Sequence, residues 1–108
     1  MLDELEFGKL AETALNALLQ HLIAREEAEG AGFEVEGGQG GLIHVLFEEP
    51  PGKFVITPNA PVQQLWISAL STSFKLDWDA ASSAFMLPRT GEQLTPLVDR
   101  LIDEHLKG

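Results

Sequence analysis

The sequence predicts an α+β domain, a two-layer α/β sandwich in which two terminal helices pack on one face of a five- to six-stranded antiparallel sheet. Apolar residues recur with helical spacing near both ends of the chain and with a period of two between them. The apolar runs are separated by only a few residues, which favours hairpins over crossover helices. With 108 residues and 44% apolar content, the chain is expected to be a single domain, residues 1–108, with one core.

The first predicted helix runs from Asp3 to about Glu27. Its apolar residues follow the i, i+3, i+4, i+7 spacing of one helical face: Phe7, Leu10, Ala11, Ala14, Leu15, Leu18, Leu22 and Ile23. Asp3 and Glu6 are three residues apart, which suits an acidic capping box. Gly30 and Gly32 are expected to end the helix.

Six strands are predicted, namely Phe33 to Glu36, Leu42 to Phe47, Phe54 to Thr57, Leu65 to Leu70, Phe74 to Trp78 and Ala84 to Leu87. The turns between them are rich in glycine, proline and serine, and the glycine run 37–41 is read as a hairpin turn. Alternation in the second strand turns Ile43, Val45 and Phe47 towards the helices. Leu42, His44 and Leu46 then lie on the opposite face, which is unusually apolar. That face is either a partner-binding surface or the ordinary exposed apolar area of a small domain.

The second predicted helix ends near Leu106 and begins at Thr90 or at Thr95. Pro96 disturbs the early turns of a helix that starts at Thr90. A start at Thr95 places Pro96 at the first helical position, where proline is favoured.

Composition excludes several classes of function. A net charge of −10, from 17 acidic and 7 basic residues, repels phosphate backbones, so no nucleic-acid partner is expected. Without cysteine, the chain has no thiolate metal ligand and no thiol nucleophile. The three histidines fall in three different elements and are read as scattered surface residues. No leader, apolar span or catalytic motif is found, so we expect a cytoplasmic, non-membrane protein that is not an enzyme.

The placement of the acidic residues is more informative than their number. Five glutamates cluster at the end of the first helix and on the first strand: Glu26, Glu27, Glu29, Glu34 and Glu36. Glu34 and Glu36 are two residues apart and so project from the same sheet face. Such a patch offers oxygen ligands that bind a hard cation weakly, because no cage closes around the ion. The alternative is a solvated acidic face with no specific ligand.

Trp66 is the aromatic residue of greatest interest. Leu65 and Ile67 share one face of its strand, whereas Gln64, Trp66 and Ser68 share the other. The indole should therefore point away from the helices. It is either an anchor for a protein partner or a stabiliser of its cross-strand neighbours.

Four segments together resemble one known family. The stretch Pro61 to Ser68 is similar to the frataxin signature P-x-x-Q-[LIV]-W-[LI]-[SA]. Phe74 to Trp78 is similar to an aromatic segment of that family, while Arg89 to Glu92 and Glu6 to Ala11 resemble the openings of its last and first helices. The resemblance covers nearly the whole chain and has the element order predicted from periodicity.

The resemblance implies a role and a set of partners. It implies an acidic ridge that binds iron weakly, as Fe²⁺ or Fe³⁺, and a sheet surface that docks on the cysteine desulfurase and its iron–sulfur scaffold protein. The residues it assigns to docking are Thr57, Asn59, Gln64, Trp66, Ser68 and Lys75. A monomer is expected, with iron-dependent oligomerisation left open.

Two departures from the family pattern matter for this role. The latter half of the first helix carries Leu19, Gln20, Ile23 and Ala24 where the family has acids, which weakens or relocates iron binding. Thr57, Asn59 and Lys75 replace Asn, Gln and Arg, and lysine lacks the bidentate fork of arginine.

Two further hypotheses remain at this point. An acidic adaptor or secretion-type chaperone would hold a client peptide on the apolar sheet face and need no metal. A weak ferroxidase activity is implied only by activities credited to some members of the family.

Overall fold

The computed structural model describes residues 2–28 and 30–107. Helix α1 spans Glu4–Glu26 and helix α2 spans Leu94–Lys107. Between them run the strands β1 Phe33–Gly37, β2 Ile43–Glu48, β3 Pro51–Asn59, β4 Gln64–Ala69, β5 Thr72–Asp79 and β6 Ala84–Met86. Each strand pairs antiparallel with the next, in the order β1-β2-β3-β4-β5-β6. The predicted helix–sheet sandwich with six strands is confirmed.

Helix α1 begins at the predicted capping box. The Asp3 carboxylate accepts the Glu6 backbone N–H at 2.8 Å, and the Glu6 side chain accepts the Asp3 backbone N–H. The backbone hydrogen bond from Glu6 holds the pKa of Asp3 below its usual value. The buried stripe of α1 consists of Phe7, Ala11, Leu15, Leu18 and Leu22.

The core lies between this stripe and the inner face of the sheet. Ile43, Val45 and Phe47 are buried in it, as alternation predicts. The centre of the His105 ring lies 4.0 Å from the centre of the Phe47 ring. The Nε2 atom of His105 lies 2.7 Å from the Pro50 carbonyl oxygen. His105 is half-buried, so the surface assignment made for it from the sequence is wrong.

Strand β3 is longer at both ends than the predicted run 54–57. Its first residue, Pro51, pairs with Glu48, and its last, Asn59, pairs with Gln64. The prolines led the sequence analysis to place breaks here. Pro58 is tolerated because the pairing of β3 with β2 extends only to Ile56, so only β4 pairs with this part of β3.

Helix α2 starts at Leu94, one residue before the predicted Thr95 and four residues after Thr90. Pro96 thus lies in the first turn, where a backbone N–H has no intrahelical partner. The preceding residues form a turn in which the Gly91 N–H donates to the Leu87 carbonyl at 2.8 Å. The segment Arg89 to Glu92 therefore lies before the helix rather than in its first turn.

The helices are joined by a group of charged side chains. Arg25 donates to Asp99 at 2.8 Å and to Asp103 at 2.5 Å, and His21 Nε2 lies 2.8 Å from Asp99. The Arg25 guanidinium also lies 5.6 Å from the centre of the Phe33 ring.

In residues 2–28 and 30–107, neither helix has the length and apolarity that a membrane span requires.

Candidate functional site

The predicted docking residues lie on the outer sheet face, which is the face turned away from the helices. Leu65 and Ile67 are 0% and 1% exposed in the core, and Trp66 between them projects from the outer side and is half-buried. The predicted direction of the indole is confirmed. His44, Leu46 and Val55 are half-buried side chains of β2 and β3 on the same face. Leu42, predicted for this face, precedes β2 and instead lines a depression together with Leu15 and Leu19 of α1.

The strand register brings the six predicted docking residues to this one face, and they are Thr57, Asn59, Gln64, Trp66, Ser68 and Lys75. Thr57 and Lys75 lie directly opposite Trp66 on the neighbouring strands. Asn59 lies opposite Gln64. Their participation in binding stays a prediction.

The indole of Trp66 is held by a chain of two hydrogen bonds. Its Nε1–H donates to the side-chain oxygen of Gln64 at 2.9 Å, and the Gln64 amide donates to Asp77 at 3.0 Å. Lys75 Nζ lies 4.9 Å from the centre of the indole ring, within range of a cation–π interaction. A large aromatic surface is therefore fixed in orientation before any partner arrives, which lowers the entropy cost of binding.

The predicted carboxylates divide between two locations. Glu34 and Glu36 lie on the outer sheet face, opposite Leu46 and His44 of β2. The Glu26 carboxylate instead accepts the Val35 backbone N–H at 3.0 Å and ties α1 to β1. Glu27 is the exposed C-cap residue of α1, and Glu29 lies outside the described residues. In the part of the chain that the structure describes, no three of His, Asp or Glu form a group that could hold a metal ion.

An open cleft of about 530 Å³ lies beside Glu34. Glu48 and Glu49 also line it, together with Leu46 and residues near the β1 start. Neither glutamate was among the predicted site residues, because the second strand was predicted to end at Phe47. Continuing the alternation by one residue places Glu48 on the outer face with Leu46.

The carboxylates of β1 and the indole of β4 share a face but are not adjacent. Glu36, His44, Val55 and Ser68 lie in one row across four neighbouring strands. Three strand spacings separate the ends of that row, which is about 14 Å.

Asp77 was not among the predicted site residues, because no pattern in the chain shows that it accepts a hydrogen bond from Gln64.

The architecture is that of a frataxin. The structure of the frataxin from Psychromonas ingrahamii matches it with a TM-score of 0.69, covering 95% of this chain and 91% of that one. At 23% sequence identity, this likeness shows the fold alone. A family model described as a frataxin-like domain matches residues 1–108. The chain therefore belongs to the frataxin-like family, as its motifs implied.

Two curated relatives are similar to most of the chain. The mitochondrial frataxin of Arabidopsis thaliana is 28% identical over 107 residues, which are 95% of this chain and 55% of that protein. The chain thus spans little more than half of this relative. The iron–sulfur cluster assembly protein CyaY of Photobacterium profundum is 26% identical over 105 residues, 97% of this chain and 92% of that protein.

Proposed function

We propose that this protein modulates iron–sulfur cluster assembly in the cytoplasm by docking its outer sheet face on the complex of cysteine desulfurase and scaffold protein. The observation that carries the proposal is the pre-oriented indole of Trp66 among polar residues on an open sheet face. A role in this process is supported by the similarity to bacterial proteins named as iron–sulfur cluster assembly proteins. Family membership also favours this role over that of a client-peptide chaperone.

Substitution of Trp66 tests the docking surface. Trp66→Ala removes the largest side chain of the face, and interface tryptophans commonly contribute about 2 kcal/mol or more, so we expect at least a roughly thirtyfold weaker affinity. Binding to the immobilised desulfurase–scaffold complex measures the effect. Leu5→Ala, an exposed apolar truncation on α1, is the matched control. Equal affinities of the wild type and Trp66→Ala, with both folded by circular dichroism, would contradict docking through this face.

Iron is the cargo in this proposal and is held weakly by the carboxylates of β1 and the end of α1. Support comes from Glu34 and Glu36, which project into solvent from one face, and from the acidic cleft beside Glu34. Oxygen ligands of this kind suit hard cations. The open arrangement is consistent with low affinity.

Anaerobic titration with Fe²⁺, followed by amide NMR shifts and paramagnetic broadening, tests the iron proposal. We expect the changes to concentrate at residues 26–36 and to disappear in the double variant Glu34→Gln and Glu36→Gln. Glu104→Gln, which removes one carboxylate from α2, should leave them unchanged. Broadening spread evenly over the acidic surface would contradict a defined site. Oxygen-dependent Fe²⁺ oxidation above the protein-free rate, lost in the double variant, is the test of the ferroxidase hypothesis.

A further inference from the structure

A second surface feature lies on the helical side of the molecule, away from the outer sheet face. It is a groove of about 380 Å³ between the first half of α1, the loop that joins β1 to β2, and the end of β3, and we call it the α1 groove. Its floor and walls are formed chiefly by Phe7, Gly8, Ala11, Leu15, Gly41 and Pro58. A smaller depression of about 170 Å³ continues it and shares Leu15 and Gly41. The two depressions are neighbours along α1.

The glycine run after β1 gives the groove a wall of backbone. A Cβ on Gly41 would lie 2.9 Å from Leu15 Cδ1, and a Cβ on Gly37 would lie 2.9 Å from Leu19 Cδ2. The φ angle of Gly41, 84°, is also one that other residues rarely adopt. These glycines let the loop approach α1 closely. Gly40 and Gly41 line the groove without adding a side chain to it.

Neither packing nor backbone conformation requires a glycine at position 8, which lines the groove. A Cβ at Gly8 would meet nothing within 4 Å, and its φ lies outside the left-handed region. Glycine in a helix interior costs about 1 kcal/mol relative to alanine. Because neither packing nor backbone conformation explains this glycine, we attribute it to the open space that it leaves in the groove.

The charge of the groove defines what it can hold. Glu4 and Glu12 are exposed at its rim, and no Lys, Arg or His is among the described residues that line it. Neither carboxylate makes an ion pair within residues 2–28 and 30–107. The two glutamates are eight positions apart in the helix, which is a rise of about 12 Å. In an extended peptide, residues i and i+4 are about 13 Å apart and project from the same side as residue i+2.

We propose that the α1 groove binds an extended segment of a partner protein with a basic residue at i, an aliphatic residue at i+2 and a basic residue at i+4. The two basic side chains pair with Glu4 and Glu12, and the aliphatic side chain occupies the space above Gly8 and Ala11. The backbone of the segment runs along the glycine wall. This surface is distinct from the outer sheet face and does not depend on the docking proposed for Trp66.

Titration of the labelled full chain with the capped pentapeptide Lys-Ser-Leu-Ser-Lys tests the proposal by NMR. We expect saturable amide shifts at Gly8, Ala11, Gly40 and Gly41, with a dissociation constant of about 1 mM or lower. A matched peptide with Glu in place of Lys should bind at least tenfold more weakly. Shifts that do not saturate, equal shifts with both peptides, or shifts centred on Trp66 would overturn the proposal.

Two variants at exposed helix positions complete the test. Gly8→Trp places an indole at a position where an added Cβ meets nothing within 4 Å, and it should weaken peptide binding at least tenfold. Gln20→Trp adds the same side chain on α1 outside the residues that line the groove and should leave binding unchanged. Trp66→Ala should also bind the peptide normally, which separates this proposal from the proposed function. Unaltered peptide affinity in folded Gly8→Trp would refute the groove.

Discussion

Two glycines show how differently the same residue type is used in this chain. Gly8 lies on the open surface of α1, whereas a Cβ on Gly52 would lie 2.5 Å from His105 Cε1. His105 is fixed there by its stacking on Phe47 and its hydrogen bond to the Pro50 carbonyl. The sequence alone does not distinguish the two glycines, because the difference depends on side chains that approach from distant elements.

Alanine substitution at these two glycines should have effects of opposite sign. Gly8→Ala should raise the free energy of unfolding by about 0.5–1 kcal/mol, because alanine is the better helix former. Gly52→Ala should lower it by about 1–3 kcal/mol, because His105 must move. Urea unfolding followed by circular dichroism measures both. Equal destabilisation by the two substitutions would contradict the packing described at either position.

The hydrogen bonds of Gln64 determine how firmly the indole is held. Gln64→Ala removes both the bond from Trp66 and the bond to Asp77, so we expect faster hydrogen exchange of the indole N–H and a loss of about 1 kcal/mol of stability. NMR exchange measurements follow the indole proton directly. Ser68→Ala, on the same strand and face, is the control. An indole proton that exchanges at the wild-type rate in Gln64→Ala would show that Gln64 does not restrain the ring.

At the scale of elements, the β4–β5 hairpin carries an unfavourable turn. Leu70 and Ser71 connect the two strands with φ angles of 52° and 61°, the left-handed conformation that a two-residue type I′ turn requires. Asparagine and glycine suit these positions far better than leucine and serine. Leu70 is also 41% exposed, so it gains little from burial.

Replacing this turn should stabilise the protein. The double variant Leu70→Asn and Ser71→Gly should raise the free energy of unfolding by roughly 1 kcal/mol or more, because each new residue relieves part of the left-handed cost. The urea midpoint should rise with an unchanged slope. Leu5→Asn, at another exposed leucine, is the control and should have little effect. A lower midpoint in the turn variant would contradict the turn geometry.

The cap of α1 makes a pH-dependent contribution. The pKa of Asp3 lies below its ordinary value of 3.8, chiefly because its carboxylate accepts the Glu6 backbone N–H. A lowered folded-state pKa gives stability that is present above the unfolded pKa and lost as pH falls through the folded one. The stability difference between wild type and Asp3→Ala should therefore shrink as pH is lowered below about 4. Urea unfolding at a series of pH values measures it, and a constant difference would contradict the charged cap.

For the whole molecule, periodicity predicted nearly all of the architecture. The apolar stripe of α1 and the alternation around Val45 and Leu65 depend only on local spacing, and the structure confirms them. The ends of β3 were missed because Pro51 and Pro58 resemble turn residues until the strand register is known. The role of Asp77, the burial of His105 and the α1 groove were not predicted, because each depends on contacts between elements far apart in the chain.

The hydrogen bond from Val35 to Glu26 affects how this sheet meets other molecules. Strand β1 is an edge strand, and its outward amides are donors that a strand from another copy would need for pairing. Glu26 occupies one of them from within the chain. A cation bound by the same carboxylate would compete with that amide and leave the edge unprotected. If Glu26 holds iron as in the proposed function, metal uptake at the end of α1 and sheet extension between copies would be coupled through this carboxylate.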